Sequence, residues 1–218
     1  MIAVTFALPE ESREFRRRLA ASTFAAQVRV SHSGTGPAAA AAHIARVLAE
    51  HPALIIAAGF AGGLDPALRI GQVVVSTNFS SPETIACAGS VASGPFAHAD
   101  LPVETVAAKA ALARATGAIA VDMESQPIAT ACARAGVPLL VVRVISDPAG
   151  EPLPVPFAEW FDLARQRPRP ARLTAWLIRH PTRIAPFRHF VRGLGPARRA
   201  LADFLLRFLA SLSFNLSP

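Results

Sequence analysis

The sequence predicts an α/β fold: a mixed, mostly parallel twisted sheet flanked by helices, followed by a basic helical C-terminal extension. Three observations carry that prediction. Short β-type apolar runs alternate with helix-period segments through the first 150 residues, the pattern of a parallel sheet covered on both faces. Glycine-rich turns stand where strand patterns end. From Pro152 onward the composition shifts to proline and arginine, which divides the 218 residues into a 1–150 α/β domain and a 151–218 extension.

Taken in order, the first run is Ile2–Ala7. It has no basic segment before it and meets acids at Glu10 and Glu11, so it reads as a first strand and not as a signal peptide. A helix pattern over Glu10–Ala20 and a strand pattern over Gln27–His32 come next. "SHSGTGP", Ser31–Pro37, turns from that strand into a helix over Pro37–Glu50, with Pro37 at a first-turn position where its missing N–H costs little. A plain βα turn explains the motif, and its N–H groups also suit an anion or an oxygen-rich ligand. It has neither the Lys of a phosphate-binding P-loop nor the GxGxxG or GxSxG pattern. The strand Ala53–Gly59 runs into "AGFAGGLDPALRIGQVVVS", Ala58–Ser76, which includes the next strand, Gly71–Thr77. Tight packing and an Asp65-Pro66 turn account for this stretch, while Gly62 and Gly63 would also let a flat ring approach the backbone. A helix over Val103–Ala115, a strand over Ala118–Val121, a helix over Ser125–Ala135 and a strand over Leu139–Ile145 complete the domain.

Charge inside two of these runs points to a site. Arg143 interrupts "PLLVVRVIS", and a buried arginine without a partner costs several kcal/mol, so an acid is expected beside it. In open α/β sheets ligands lie beyond the carboxyl ends of the strands. Glu10 and Glu11, "GFAGG", Asp122 with Glu124, and Asp147 each follow a strand, so acids distant in sequence are predicted to share one crevice. A purely structural ion-pair network is the alternative.

The net charge of +7 belongs to the tail, because residues 1–150 balance and residues 151–218 hold 11 Arg against four acids. Such asymmetry suggests an anionic partner. "RQRPRPAR" reads as a linker, and Pro181, Pro186 and Pro196 are expected to cut the remaining chain into short helices. In the last of these, Pro196–Leu212, the residues Leu201, Phe204, Leu205, Phe208, Leu209 and Leu212 recur at helical spacing. That stripe either docks on the domain or inserts shallowly into a membrane. Cys87 and Cys132 lack zinc or disulfide-framework spacing and the six histidines form no metal-binding pair, so no metal and a reducing cytoplasm are expected. The longest apolar run is too short to span a bilayer, and no nucleic-acid recognition motif is visible.

In order and spacing, "SGTGP", "AGFAGGLDPALRIGQVVVS", "AIAVDMES" and "VVRVISD" resemble the purine nucleoside phosphorylase and nucleosidase superfamily over about residues 1–150. They look closest to its methylthioadenosine/S-adenosylhomocysteine nucleosidase-like branch. "TGAIAVDMES", the shortened segment before it and the Arg/Pro-rich tail resemble the hopanoid-associated phosphorylases. That group is implied to release adenine from adenosylhopane and leave ribosylhopane.

The resemblance implies roles by position. Glu124 would grip the ribose hydroxyls, with Met123 packed on the sugar. Asp147 would be the acid at the purine N7, Ser146 its helper. Arg143 would lie near the attacking oxygen, Glu11 would position a water, Ala61 and Gly62 would line the base, and Phe96 is the candidate to stack on it. Asp147 favours a 6-aminopurine, since the 6-oxopurine members resemble one another in using Asn there. No cofactor is implied, and phosphate stays open as a co-substrate. Phe60 stands where "GSAGG" has serine, Ala57 lies where some phosphorylases carry a phosphate-binding Arg nearby, and no clear phosphate set is visible, which leans towards water. The partners implied are a small-molecule or lipid-linked adenine nucleoside, further copies of the chain in a homo-oligomer, and a membrane surface met by the tail at its cytoplasmic face. Two alternatives stay open: a soluble nucleosidase for methylthioadenosine or S-adenosylhomocysteine, and a non-catalytic nucleoside-binding protein.

Overall fold

The computed structural model describes residues 1–215, with side chains described as far as Leu212. The elements run β1 (Ile2–Phe6), α1 (Pro9–Leu19), β2 (Val28–His32), α2 (Pro37–Leu48), β3 (Leu54–Gly63), β4 (Val73–Ser76), α3 (Pro82–Cys87), β5 (Ala92–Gly94), β6 (Phe96–His98), α4 (Val106–Thr116), β7 (Ala120–Asp122), α5 (Ser125–Ala135), β8 (Leu139–Asp147), α6 (Phe157–Trp160), β9 (Phe161–Asp162), β10 (Arg167–Pro168), α7 (Pro170–Arg179), a single 3₁₀ turn (Pro181–Arg183) and α8 (Ile184–Asn215). Eight strands form one sheet in the order β2-β1-β3-β8-β4-β5, with β7 also paired to β3 and β6 paired to β7. The pairs are parallel except β3 with β7 and β4 with β8.

The two central strands show why the sheet needs helices on both faces. In β3, Leu54, Ile56 and Ala58 enter one core cluster, while Ile55, Ala57 and Ala61 enter the other; β8 divides Leu140, Val142 and Val144 from Leu139, Val141 and Ile145 in the same way. Such period-2 partition follows from the pleat. All nine residues of β8 are buried. Helix ends are set locally. Thr105 accepts a hydrogen bond from the Ala108 N–H at the start of α4, and Gly117 ends that helix at φ +65°, where a side chain would be strained.

Three expectations change. The strands containing "GFAGG" and "VISD" do not stop before these motifs; β3 runs through Gly63 and β8 through Asp147. The extra length of β3 is held by antiparallel pairing to β7. Of the three tail prolines, only Pro181 breaks a helix. Pro186 falls in the first turn of α8, where no intrahelical donor is needed, and Pro196 lies inside the continuous helix.

The third change, in the fate of the apolar stripe, explains how the helix tolerates Pro196. Ala197, Leu201, Ala202, Phe204, Leu205, Phe208 and Leu209 are buried in the same cluster as Val4, Phe15, Val142 and Val144. Burying a large apolar side chain contributes about 1.5–3 kcal/mol, so the row outweighs the roughly 3 kcal/mol of one interior proline. The stripe Leu201–Leu212 is therefore docked core, with Leu212 packed at its margin, and not a face free to enter a membrane. Among the described residues no helix is long and apolar enough to cross a membrane.

Candidate active site

Gly62 is the junction of the site. Its register partners are Val121 on β7 and Asp147 on β8, so "GFAGG", "VDMES" and "VISD" meet side by side. A Cβ on Gly62 would stand 3.2 Å from Asp147 Oδ2 and 3.3 Å from Val121 Cγ1, closer than packed side chains normally approach. A glycine here lets the two acidic strand ends close on each other.

Arg143 occupies the face of β8 between Val141 and Ile145 and is 3% exposed. The acid expected beside it is Asp122, whose Oδ2 lies 2.6 Å from Nε. Nη1 donates to the Ala57 carbonyl at 2.7 Å and Nη2 to Ser125 Oγ at 3.0 Å. Asp122 also accepts from the Ser125 amide and hydroxyl at the start of α5. The guanidinium is thus paired and hydrogen-bonded, the condition for a buried ion pair to be tolerated.

Glu11 and Glu124 reach the same place from other elements. Glu11, in the first turn of α1, accepts from the Leu8 N–H at 2.9 Å and from the Phe60 N–H at 3.1 Å. Gly59 makes room for it, since a Cβ there would lie 3.1 Å from Glu11 Oε1. Glu124 Oε1 accepts the Gly36 N–H of the "SGTGP" turn at 2.6 Å. Gly36, at φ +94°, holds a conformation that side chains rarely adopt. Thr5, Glu11, Phe60, Glu124 and Arg143 are among the residues lining one cavity of about 10 Å³. Thr5 Oγ1 is buried without a hydrogen-bond partner.

Asp147 is held on both oxygens. Ser146 Oγ donates to Oδ1 at 2.6 Å, and Lys109 Nζ donates to Oδ2 at 2.5 Å. Burial pushes the Asp147 carboxyl up, and the Lys109 ammonium beside it pulls back. Burial likewise pushes Glu11 up against its two backbone donors and Arg143. Glu124 is pushed up to about 7 by burial and then by the neighbouring Asp122 charge. A set of carboxyls raised by burial beside one guanidinium suits acid–base chemistry on a sugar or base.

The sequence-predicted residues separate into three groups. Glu11, Glu124 and Arg143 line the cavity. Met123, Ser146, Ala61, Gly62 and Asp147 lie on the adjoining strand ends, with Met123 Cε 3.6 Å from where a Gly36 Cβ would sit. Phe96 stands apart: it is 2% exposed, packed in the apolar cluster that also holds Ala61, Val74 and Ile145, and is not among the residues lining the cavity. Its backbone is tied to the Asn78 side chain, which fixes β6 rather than freeing a ring to stack.

Sequence reasoning missed three participants. Thr5 gives no signal within an apolar strand. Lys109 reads as an ordinary helical lysine. The segment after α6 returns over the glycine turn: the Gln166 amide bonds both the N–H and the C=O of Thr35, and Leu163 Cδ1 reaches within 3.3 Å of a Gly36 Cβ position. Among the described residues no cluster of His, Cys, Asp and Glu has the makings of a metal site.

The sequence model of a family described as "Phosphorylase superfamily" matches residues 5–90 and 89–175. A 5′-methylthioadenosine/S-adenosylhomocysteine nucleosidase of Marinomonas sp. (strain MWYL1) is 28% identical over 170 residues, covering 62% of this chain and 74% of that protein. Among solved structures, a Streptococcus pneumoniae MTA/SAH nucleosidase in complex with 8-aminoadenine aligns with a TM-score of 0.71 at 20% identity, over 96% of this chain and 99% of that one. The futalosine hydrolase of Helicobacter pylori aligns at 0.69 and 18% identity, over 96% and 97%. At these identities the solved structures establish a shared fold.

Proposed function

The chain belongs to the phosphorylase superfamily, and from that premise we propose that it cleaves the N-glycosidic bond of an adenine nucleoside with water as the attacking group. The observation that carries the reading is the convergence of Glu11, Glu124 and Arg143 on one cavity, at strand ends where Asp147 also stands. The nucleosidase relatives support it.

Each residue has a physical role in this reading. Cleavage passes through a cation-like ribosyl group, so the purine must leave without a full negative charge. Asp147, raised by burial, gives a proton to N7, a contribution typically worth about 10²–10⁴ in rate. Glu124, aimed by the Gly36 amide, accepts the ribose hydroxyls and sets negative potential beside the developing cation. Met123 packs on the sugar, Ala61 and Gly62 line the base, and Ser146 steadies Asp147. Glu11 orients the water, with Thr5 Oγ1 as a further partner. The cavity lining sets two carboxyls against one arginine, and that arginine is already held by Asp122, which supports water over phosphate.

The finer proposal is a lipid-linked substrate, adenosylhopane, yielding ribosylhopane and adenine. Its support is the chain beyond the site. Phe157, Trp160 and Phe161 form an aromatic cluster next to the segment that carries Leu163 over the sugar-side turn. Between Asp162 and Asp203 the sequence then has ten arginines and no acid. Helix α7 has no buried residue, and Ile178 on it is 73% exposed. Peripheral membrane contact is accordingly proposed for α7 and the start of α8, each basic residue near an anionic leaflet contributing about 1 kcal/mol. Flotation with anionic liposomes tests this on full-length protein. The variant Ile178→Asp/Arg179→Glu/Arg183→Glu should stay unbound, and equal flotation of both proteins removes the membrane from the reading.

The deciding assay is adenine release from adenosylhopane, 5′-methylthioadenosine and S-adenosylhomocysteine, each with and without phosphate. Asp147→Asn and Glu124→Gln should each lose at least about 10²-fold in kcat/KM. A strict phosphate requirement replaces water with phosphorolysis. Efficient turnover of the two small thio-nucleosides favours the soluble-nucleosidase reading, to which the Marinomonas relative points. Adenine binding with no release from any of the three would make this a binding protein.

A further inference from the structure

The protein contains 21 arginines and one lysine. That lysine, Lys109 on α4, is fully buried. Its ammonium donates to Asp147 Oδ2 at 2.5 Å, to the Pro148 carbonyl at 2.9 Å and to the Glu151 carbonyl at 2.8 Å, three acceptors for three N–H groups. The Asp147 carbonyl lies farther off, at 3.4 Å. One side chain therefore pins the loop after β8 by its backbone and grips the carboxyl at the end of that strand. Ser146 Oγ, on the other oxygen, completes a fixed orientation.

We infer that Lys109 is the positioning residue for Asp147, and that the two together store the proton delivered to the departing base. The inference rests on the reading of Asp147 as the purine acid and adds a source for its proton. As an ion pair the two groups carry one transferable proton and no net charge, which suits a buried site better than a lone carboxylate. In the step, a Lys109 N–H bond breaks as an O–H bond forms on Asp147. That O–H bond then breaks as N7–H forms, while the C1′–N9 electron pair stays with the purine. Lys109 is left as the neutral amine and Asp147 as the carboxylate. The proton released by the attacking water restores the pair.

The choice of lysine matters here. A guanidinium anchors a loop equally well but does not give up a proton in proteins. A chain that uses arginine at every other cationic position keeps an ammonium at the one place where a proton must move. The remaining charge bearing on Asp147 is Glu151, which opposes ionisation of the carboxyl. Without Lys109 the carboxyl alone must hold the proton, with no ammonium beside it to resupply one.

Because there is a single lysine, protein labelled with ¹⁵N at lysine Nζ gives one resonance that needs no assignment. Adenine, the product common to every 5′ substituent, is the probe, with affinity followed by calorimetry from acid to alkaline pH. In wild type, adenine should move the Nζ resonance towards the neutral amine, and Asp147→Asn should abolish the movement. Lys109→Met should bind adenine most tightly at acid pH, where Asp147 keeps its own proton. Its alkaline loss of affinity should start at lower pH, by about tenfold in Kd for each unit the midpoint moves. The double variant Lys109→Met/Asp147→Asn, without the buried charges, controls for folding through its circular dichroism. An Nζ resonance indifferent to adenine, or a Lys109→Met protein weakened equally at every pH, reduces Lys109 to a loop anchor and overturns the inference. Asp147→Asn binding adenine as wild type does at all pH values overturns the acid reading beneath it instead.

Discussion

Asp122 and Glu124 stand two residues apart, yet their surroundings give them opposite work. Asp122 is spent on Arg143 and on the first turn of α5, whereas Glu124 meets one amide and the cavity. Asp122→Asn should then destabilise the fold by about 3–5 kcal/mol, because Arg143 keeps its charge without its counter-ion. A lowered denaturant midpoint measures this, and Asp122→Asn/Arg143→Met should recover part of the loss. Glu124 behaves differently. Its pKa, raised to about 7, means that the folded state holds a proton the unfolded chain gives up. The resulting stability is present at acid pH and is lost as pH rises through about 7. Glu124→Gln should accordingly stabilise the fold at about pH 8 by on the order of 1–3 kcal/mol, seen as a higher Tm, and change little near pH 4. A Tm–pH series of the two proteins without ligand checks it. The same group sets an acid limb near pH 7 in kcat/KM, since the free enzyme must present a carboxylate to the sugar.

Among the elements, α8 is where a local rule yields to packing. Leu205 is fully buried between the sheet and its own helix, so Leu205→Ala should cost about 2–5 kcal/mol in chemical denaturation. Ile178→Ala, on exposed α7, should stay within about 0.5 kcal/mol. The contrast bears on what the sequence made legible. β8 announced itself because a seven-residue run, Leu139–Ile145, that is apolar but for one arginine has few other homes. The turn at Ser31–Pro37 was marked by its glycines and Pro37. Pro196 misled, because a proline signals a helix end locally and the buried row that overrides it is a tertiary property. β5 and β6 have three residues each, too few for a period to show. Phe96 looked like a stacking ring only because one residue cannot reveal which face of a short strand it occupies. Lys109 was hidden for a related reason: nothing in "VAAKAALARAT" distinguishes a solvated lysine from one that meets a strand end 38 positions later.

For the whole molecule, the site draws on segments from β1 to the stretch after α6. β1 and α1 supply Thr5 and Glu11, the middle supplies Gly36, Gly62, Lys109 and Glu124, β8 supplies Arg143 and Asp147, and Gln166 clasps the turn at Thr35. The sequence boundary near residue 150 therefore marks a change of composition more clearly than a change of structure, since α8 lies in the cluster that contains β1, α1 and β8. A chain ending at Arg183 lacks that helix. It should lose cooperative unfolding and become sensitive to protease, whereas full-length protein should resist digestion and melt in one transition.

The place of α8 after all the strands it covers has a consequence for how the protein is made. Synthesis is vectorial, and the row that closes the core leaves the ribosome later than the strands beneath it. Until it emerges, Val4, Phe15, Val142 and Val144 offer the nascent chain an uncovered greasy wall. Messages cut short before this helix should yield products that clump or are degraded, and the growing polypeptide should engage holding chaperones chiefly until this helix emerges.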